Sequence, residues 1–204
     1  MLDNIVDSLQ SSKIEGLANT FRRLGRFGFW LQVVLGGFPV VLMLYVLLFT
    51  GSLSVSGTRA GLPLVEHLTI LNLLLLLFTT IWFYRYPGLG RRLLDPEKRP
   101  GASKVLRTVW IGVMASSLGA IFSMVVLILE VGQLLFYFLA APQGGIPAIQ
   151  TTPGTIGGAA SWVSTVDIAS ILALLLTLAA EVVALVMGLW LLFRTSRSAA
   201  ALAE

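Results

Sequence analysis

The sequence predicts an all-α integral membrane protein: four transmembrane helices preceded by an N-terminal amphipathic interfacial helix. Three observations carry that expectation. Of 204 residues, 56% are hydrophobic and only 12% charged, with a mean hydropathy of +0.89, far outside the range of a soluble globular domain. Four apolar runs, 27–50, 68–84, 109–139 and 168–193, are near or beyond the roughly 20 residues that cross the ~30 Å hydrocarbon core as a helix. Thirteen of the 14 Lys and Arg residues fall on one side of those runs, the asymmetry that fixes orientation during insertion. Leu-rich stretches such as 73–78 and 171–176 lack the alternation of a barrel strand, so helices are the better reading.

The first 26 residues precede any apolar run. Ile14, Leu17, Phe21 and Leu24 recur at helical spacing opposite Lys13, Arg22, Arg23 and Arg26, the pattern of a helix lying at a membrane surface. Ser12 and Glu15 have capping-box spacing and place its start. Run 27–50 then reads as a retained signal anchor, being longer than a signal-peptide core. Residues 51–61 form an outer turn, and 68–84 the second span. Residues 87–103 read as a loop in which Asp95-Pro96-Glu97 starts a short surface helix ended by Pro100-Gly101. The run 109–139 is too long for one perpendicular crossing and must tilt, protrude or break, Gly132 being the natural break point. Loop 142–161 carries no charge and reads as irregular. Ser164 with Asp167 caps the fourth span, 168–193, and 194–204 forms a tail.

Basic residues number four before the first span, seven between the second and third, and two after the fourth, with Arg59 alone on the other side. Both termini are therefore expected in the cytoplasm of a bacterial inner or intracytoplasmic membrane. Trp30, Trp82, Trp110 and Trp190 each sit just inside the same predicted helix ends, where the amphipathic indole favours the headgroup level. With Arg22, Arg23, Arg26, Arg91 and Arg92 they form the expected lipid interface. The net charge of +4 is accounted for by topology and headgroups, so nucleic acid is not an expected partner. The absence of cysteine removes disulfides, thiolate ligands and thiol redox chemistry.

Ionisable and polar groups inside the apolar runs are the candidate functional residues, since a lone charge in hydrocarbon costs several kcal/mol. Counting from the run ends puts Glu181, Asn72 and Pro39 in one layer about 18 Å deep. Such a layer would bind a cation or relay a proton, or else a hydrogen-bonded Glu181 would serve helix packing. Near the other face, Glu66, His67 and Glu130 are the one set with metal-ligand chemistry, and His67 is a candidate pigment ligand. Gly112, Ser116 and Ala120, then Gly119 and Ser123, give the third helix small-residue faces, and Gly188 lies on a similar stripe of the fourth. Such faces allow close helix approach, within the bundle or across a homodimer seam. One histidine and no cysteine leave no catalytic triad, and neither a P-loop nor a complete dinucleotide fingerprint occurs. The chain is not expected to be an enzyme.

Three segments carry a family resemblance. Phe21-Arg-Arg-Leu-Gly-Arg-Phe-Gly-Phe-Trp-Leu-Gln32, Arg99-Pro100 running into Val105-Leu-Arg-Thr-Val-Trp-Ile-Gly112, and Val166-Asp-Ile168 followed by Gly188-Leu-Trp-Leu-Leu192 resemble the cyanobacterial and plastid family numbered 3611 among domains of unknown function. The resemblance implies four helices over nearly the whole chain. It also implies kinship with a plant chloroplast inner-envelope protein described as a translocon component and as an iron permease. This chain departs from the pattern in the last helix, where 169–178 is almost wholly aliphatic and Glu181 stands near an expected His. Two functional expectations follow. The thin polar lining and the small-residue faces favour a non-catalytic accessory or assembly subunit of a larger photosynthetic or respiratory membrane complex. The alternative, implied by the resemblance, is a small permease for a metal ion or other cation.

Overall fold

The computed structural model describes residues 2–50, 63–140 and 165–203, with side chains at several helix ends, Glu66 among them, left out. The outer turn 51–61, the loop 142–161 and the capping pair Ser164 and Asp167 fall outside the described residues or side chains. Four helices make up the described chain: α1 (Leu2–Thr50), α2 (Pro63–Leu94), α3 (Ala102–Ala140) and α4 (Thr165–Ala203). All four are long and apolar enough to cross a membrane, so the chain is an integral membrane protein in contact with lipid.

The buried positions explain why the helices pair as they do. On α2 they are Asn72, Leu76, Thr79, Phe83, Tyr86, Gly90 and Leu93, alternating steps of three and four. On α3, Val105, Val109, Gly112, Ser116, Gly119, Ser123 and Val126 follow the same rhythm. This is the seam spacing of left-handed bundles, in which one helix's ridges enter its neighbour's grooves at shallow angles. The helices form a ring: α1 touches α2 and α4, α3 touches α2 and α4, and α2 reaches across to α4. The outward faces carry exposed Leu, Ile, Val and Phe along most of their length, as a lipid-facing surface requires.

The larger core lies at the basic end. Ile14, Leu17 and Phe21 of α1 are buried with Phe83, Tyr86 and Leu93 of α2, Val105 and Val109 of α3, and Leu191 of α4. Phe21 and Phe83 both meet the Tyr86 ring edge-on, at centroid distances of 5.9 and 5.0 Å, the favoured geometry for aromatic quadrupoles. The N-terminal amphipathic segment is helical, as expected, but it continues unbroken into the first span instead of lying separately at the interface. Its apolar face is covered by protein, and Ser12 is internal to a helix that already runs from Leu2.

Three further boundaries differ from the sequence reading. α2 runs through Pro87 to Leu94, and the proline ring packs against Gly25 of α1, where an added Cβ would stand 2.6 Å from Pro87 Cδ. The α2–α3 connection is consequently one tight turn instead of a surface helix: Lys98 N donates to Asp95 O at 3.2 Å and Glu97 N to Asp95 Oδ1 at 3.2 Å. Arg99 Nε donates to Leu93 O at 3.3 Å, occupying a carbonyl that the end of α2 leaves open. α3 does not break at Gly132, and α4 stays helical to Ala203, so the tail extends the helix.

Candidate functional site: a file of buried polar side chains

Polar residues interrupt the apolar seam at regular intervals, and every helix supplies one. Asn72, Thr79 and Tyr86 lie seven residues apart on α2, as do Ser116, Ser123 and Glu130 on α3. Seven residues return a seam position to the same face and advance it about 10 Å. α1 contributes Gln32 and α4 contributes Thr177 and Glu181. Gln32, Asn72, Thr79, Ser116, Ser123, Thr177 and Glu181 are each at most 1% exposed.

The centre of the file is Glu181, which is fully buried. Thr79 Oγ1 lies 3.0 Å from Glu181 Oε1 and also 3.0 Å from the Leu76 carbonyl, while Gln32 Nε2 donates to Thr79 Oγ1 at 3.2 Å. A hydroxyl has one proton and two acceptor lone pairs. Thr79 therefore donates to an ionised Glu181, or accepts from a protonated one and turns its own proton to Leu76. On the opposite side the carboxyl lies against Gly119, where a Cβ would stand 2.7 Å from Glu181 Cδ. Only glycine leaves room for the acid there. Glu181 Oε2, Gln32 Oε1 and Ser116 Oγ are buried without a partner.

The expected layer of Glu181, Asn72 and Pro39 divides into levels. Asn72 accepts from Ser123 Oγ at 2.8 Å and sits seven residues, about 10 Å, along α2 from Thr79. Its Nδ2 is a further buried atom without a partner. Pro39 is buried on α1, seven residues beyond Gln32. Glu181 is shallower than the run-end count implied. Gln32 and Thr79 each lie six residues from Arg26 and Arg85, about 9 Å from the basic end of the spans. The count failed because α4 projects past that level: Gly28 faces Met187, and a Cβ added at Gly16 would stand 3.8 Å from Arg194 Nη2.

Of the outer candidates, His67 is exposed and Glu130 half-buried, and the side chain of Glu66 is outside the described residues. Among the described residues no three His, Asp or Glu side chains gather to hold a metal ion. The small residues on α3 and α4 are spent inside the bundle. Gly112 lies against the Tyr86 hydroxyl and the Trp82 ring, Gly119 against Glu181, and Gly188 against Val113; Ser116 and Ser123 are buried, and Ala120 half-buried. At the basic end Trp82 Nε1 donates to the Thr108 carbonyl at 3.0 Å, tying α2 to α3, whereas Trp30, Trp110 and Trp190 face outward. Arg22, Arg23, Arg26, Arg91 and Arg92 are all exposed.

Gln32 and Thr79 were not singled out in the sequence, although signals for both exist. Gln32 is the one amide in run 27–50, and Thr79 stands at seven-residue spacing between Asn72 and Tyr86.

A stretch of 125 residues, 57% of the chain, is 26% identical to Protein TIC 21, chloroplastic, from Arabidopsis thaliana, and spans 40% of that protein's length. No solved structure matches. The model of a family described as a protein of unknown function (DUF3611) matches residues 11–196, and the chain belongs to that family.

Proposed function

We propose that the chain is a small permease in which Glu181 binds the translocated cation, a proton or another singly charged ion. The observation that carries this reading is the buried Glu181 with one free carboxyl oxygen, set in a file of polar side chains drawn from all four helices. An ionised carboxylate in a low-dielectric interior is costly without a counter-charge, and among the described residues no basic side chain pairs with this one. A proton or monovalent cation at Oε2 balances it one for one, whereas a divalent ion would leave a buried net charge. The file continues beyond it: Asn72 and Ser123 lie about 10 Å deeper, and His67 and Glu130 follow on the same two helices. Such residues mark ion and proton routes in membrane proteins. The similarity to TIC 21 adds a chloroplast protein as kin.

The accessory-subunit reading draws on the small-residue faces, but Gly112, Gly119 and Gly188 meet side chains of this same chain. That leaves the permease reading better supported. It is tested in proteoliposomes by following cation entry and internal pH under an imposed gradient. Wild-type protein should pass current or acidify the lumen, and Glu181→Gln should abolish it. Equal flux through both would overturn the reading. No flux together with a stoichiometric partner retained in mild detergent would favour the accessory role instead.

A further inference from the structure

The stripe Asn19, Arg22, Arg23, Arg26, Phe27 and Trp30 follows the spacing i, i+3, i+4, i+7, i+8, i+11, which is a single face of α1. Together these six side chains line a groove of about 570 Å³. All six are exposed. The opposite face of the same segment, Ile14, Leu17, Ala18 and Phe21, is buried in the bundle core, so the arginines are held outward by the fold. Because α1 continues unbroken into its span, the stripe runs along the axis of a spanning helix. Asn19 to Trp30 covers 11 residues, about 16 Å. That is enough to pass from the acyl boundary, where Phe27 and Trp30 stand 58% and 60% exposed, through the headgroup layer. Among the described residues, no ion pair engages Arg22, Arg23 or Arg26.

We infer that this groove binds an anionic phospholipid, its phosphodiester held by the guanidiniums of Arg22, Arg23 and Arg26, with Asn19 on the glycerol or headgroup and Phe27 and Trp30 against the upper acyl chain. Three guanidiniums offer paired, planar donors suited to phosphate oxygens, and the indole and phenyl rings supply the apolar floor that a free anion would not use. The site is independent of the route through Glu181 and of which leaflet faces the basic end.

The test is native mass spectrometry of detergent-released protein titrated with phosphatidylglycerol or phosphatidylcholine. Wild-type protein should retain phosphatidylglycerol selectively. The variant Arg22→Gln/Arg23→Gln/Arg26→Gln should bind it roughly fivefold more weakly per guanidinium removed, with an unchanged melting temperature. The charge-matched Lys104→Gln/Arg107→Gln/Arg197→Gln, at exposed positions outside the groove, should bind as wild type does. Brominated-chain phosphatidylglycerol should quench a fluorescence component that Trp30→Phe lacks. Equal loss in the two triple variants, equal retention of the two lipids, or displacement by inorganic phosphate at lipid-like concentration would overturn the assignment.

Discussion

At the scale of single residues, the hydroxyl of Thr79 decides how Glu181 is held. Among the described residues it alone bridges Gln32 to the acid. Replacing it by the near-isosteric valine removes one group and strands two, the amide of Gln32 and Oε1 of Glu181. Hydrogen bonds inside membrane proteins contribute less than the cost of burying a polar atom would suggest, about 0.6 kcal/mol on average. With two buried atoms left unsatisfied, Thr79→Val should cost about 1–2 kcal/mol, read as a lower unfolding midpoint in detergent, and Thr79→Ser should restore most of it. Glu181 itself should behave in the opposite way. Glu181→Gln keeps the shape and the contact with Gly119 while removing an ionisable group, so its melting temperature should equal or exceed wild type even as flux is lost. A functional group kept at the expense of stability gives that divergence; a group present only for packing would lower both together.

At the scale of elements, backbone proximity sets where the helices cross. At Gly90 an added Cβ would stand 2.7 Å from the main-chain oxygen of Ala18, whereas at Gly88, two residues earlier on α2, nothing lies within 4 Å. A main-chain oxygen cannot rotate aside, so Gly90→Ala must push α2 off α1 and should cost about 1–3 kcal/mol. Gly88→Ala should be neutral or stabilising, since alanine is the better helix former by up to about 1 kcal/mol. Both are read from the unfolding midpoint, and similar outcomes for the pair would contradict the crossing described here. The same elements show what was legible in advance. The spans, the charged end and the singular position of Glu181 could be read from apolar runs and charge counts. Depth could not, because an apolar run records how much of a helix lipid or protein covers, while helix ends depend on neighbours: α2 continues past Pro87, whose ring packs against Gly25 of α1. The amphipathic face of 14–24 was visible, but a sequence does not say whether lipid or protein covers it. Thr79 was hidden beside Thr80, whose hydroxyl merely bonds back to the Leu76 carbonyl at 2.7 Å. Composition treats the two alike, and only the face of the helix separates them.

At the scale of the whole molecule, the bundle gathers Lys13, Arg22, Arg23 and Arg26 of α1, the basic residues from Arg85 to Arg107, and Arg194 and Arg197 of α4 at one end. The far end of the described helices holds His67 and Glu130. Unequal ends of this kind oppose insertion the other way round, because each Lys or Arg carried to the bilayer centre costs about 2.5–3.5 kcal/mol on insertion scales. The basic end, and with it both termini, is therefore expected in the cytoplasm. The chain has no cysteine, so single introduced thiols report sidedness without background. Ser103→Cys, exposed at the start of α3, should react with an impermeant maleimide in inverted vesicles and be protected in right-side-out ones. Thr155→Cys, on the connection from α3 to α4, should do the reverse. Reaction of both from the same side would eliminate the four-span arrangement. A clean exchange of the two patterns would keep the spans and reverse the orientation, placing the entrance nearest Glu181 on the outer face and inverting the direction in which an imposed gradient first meets the acid.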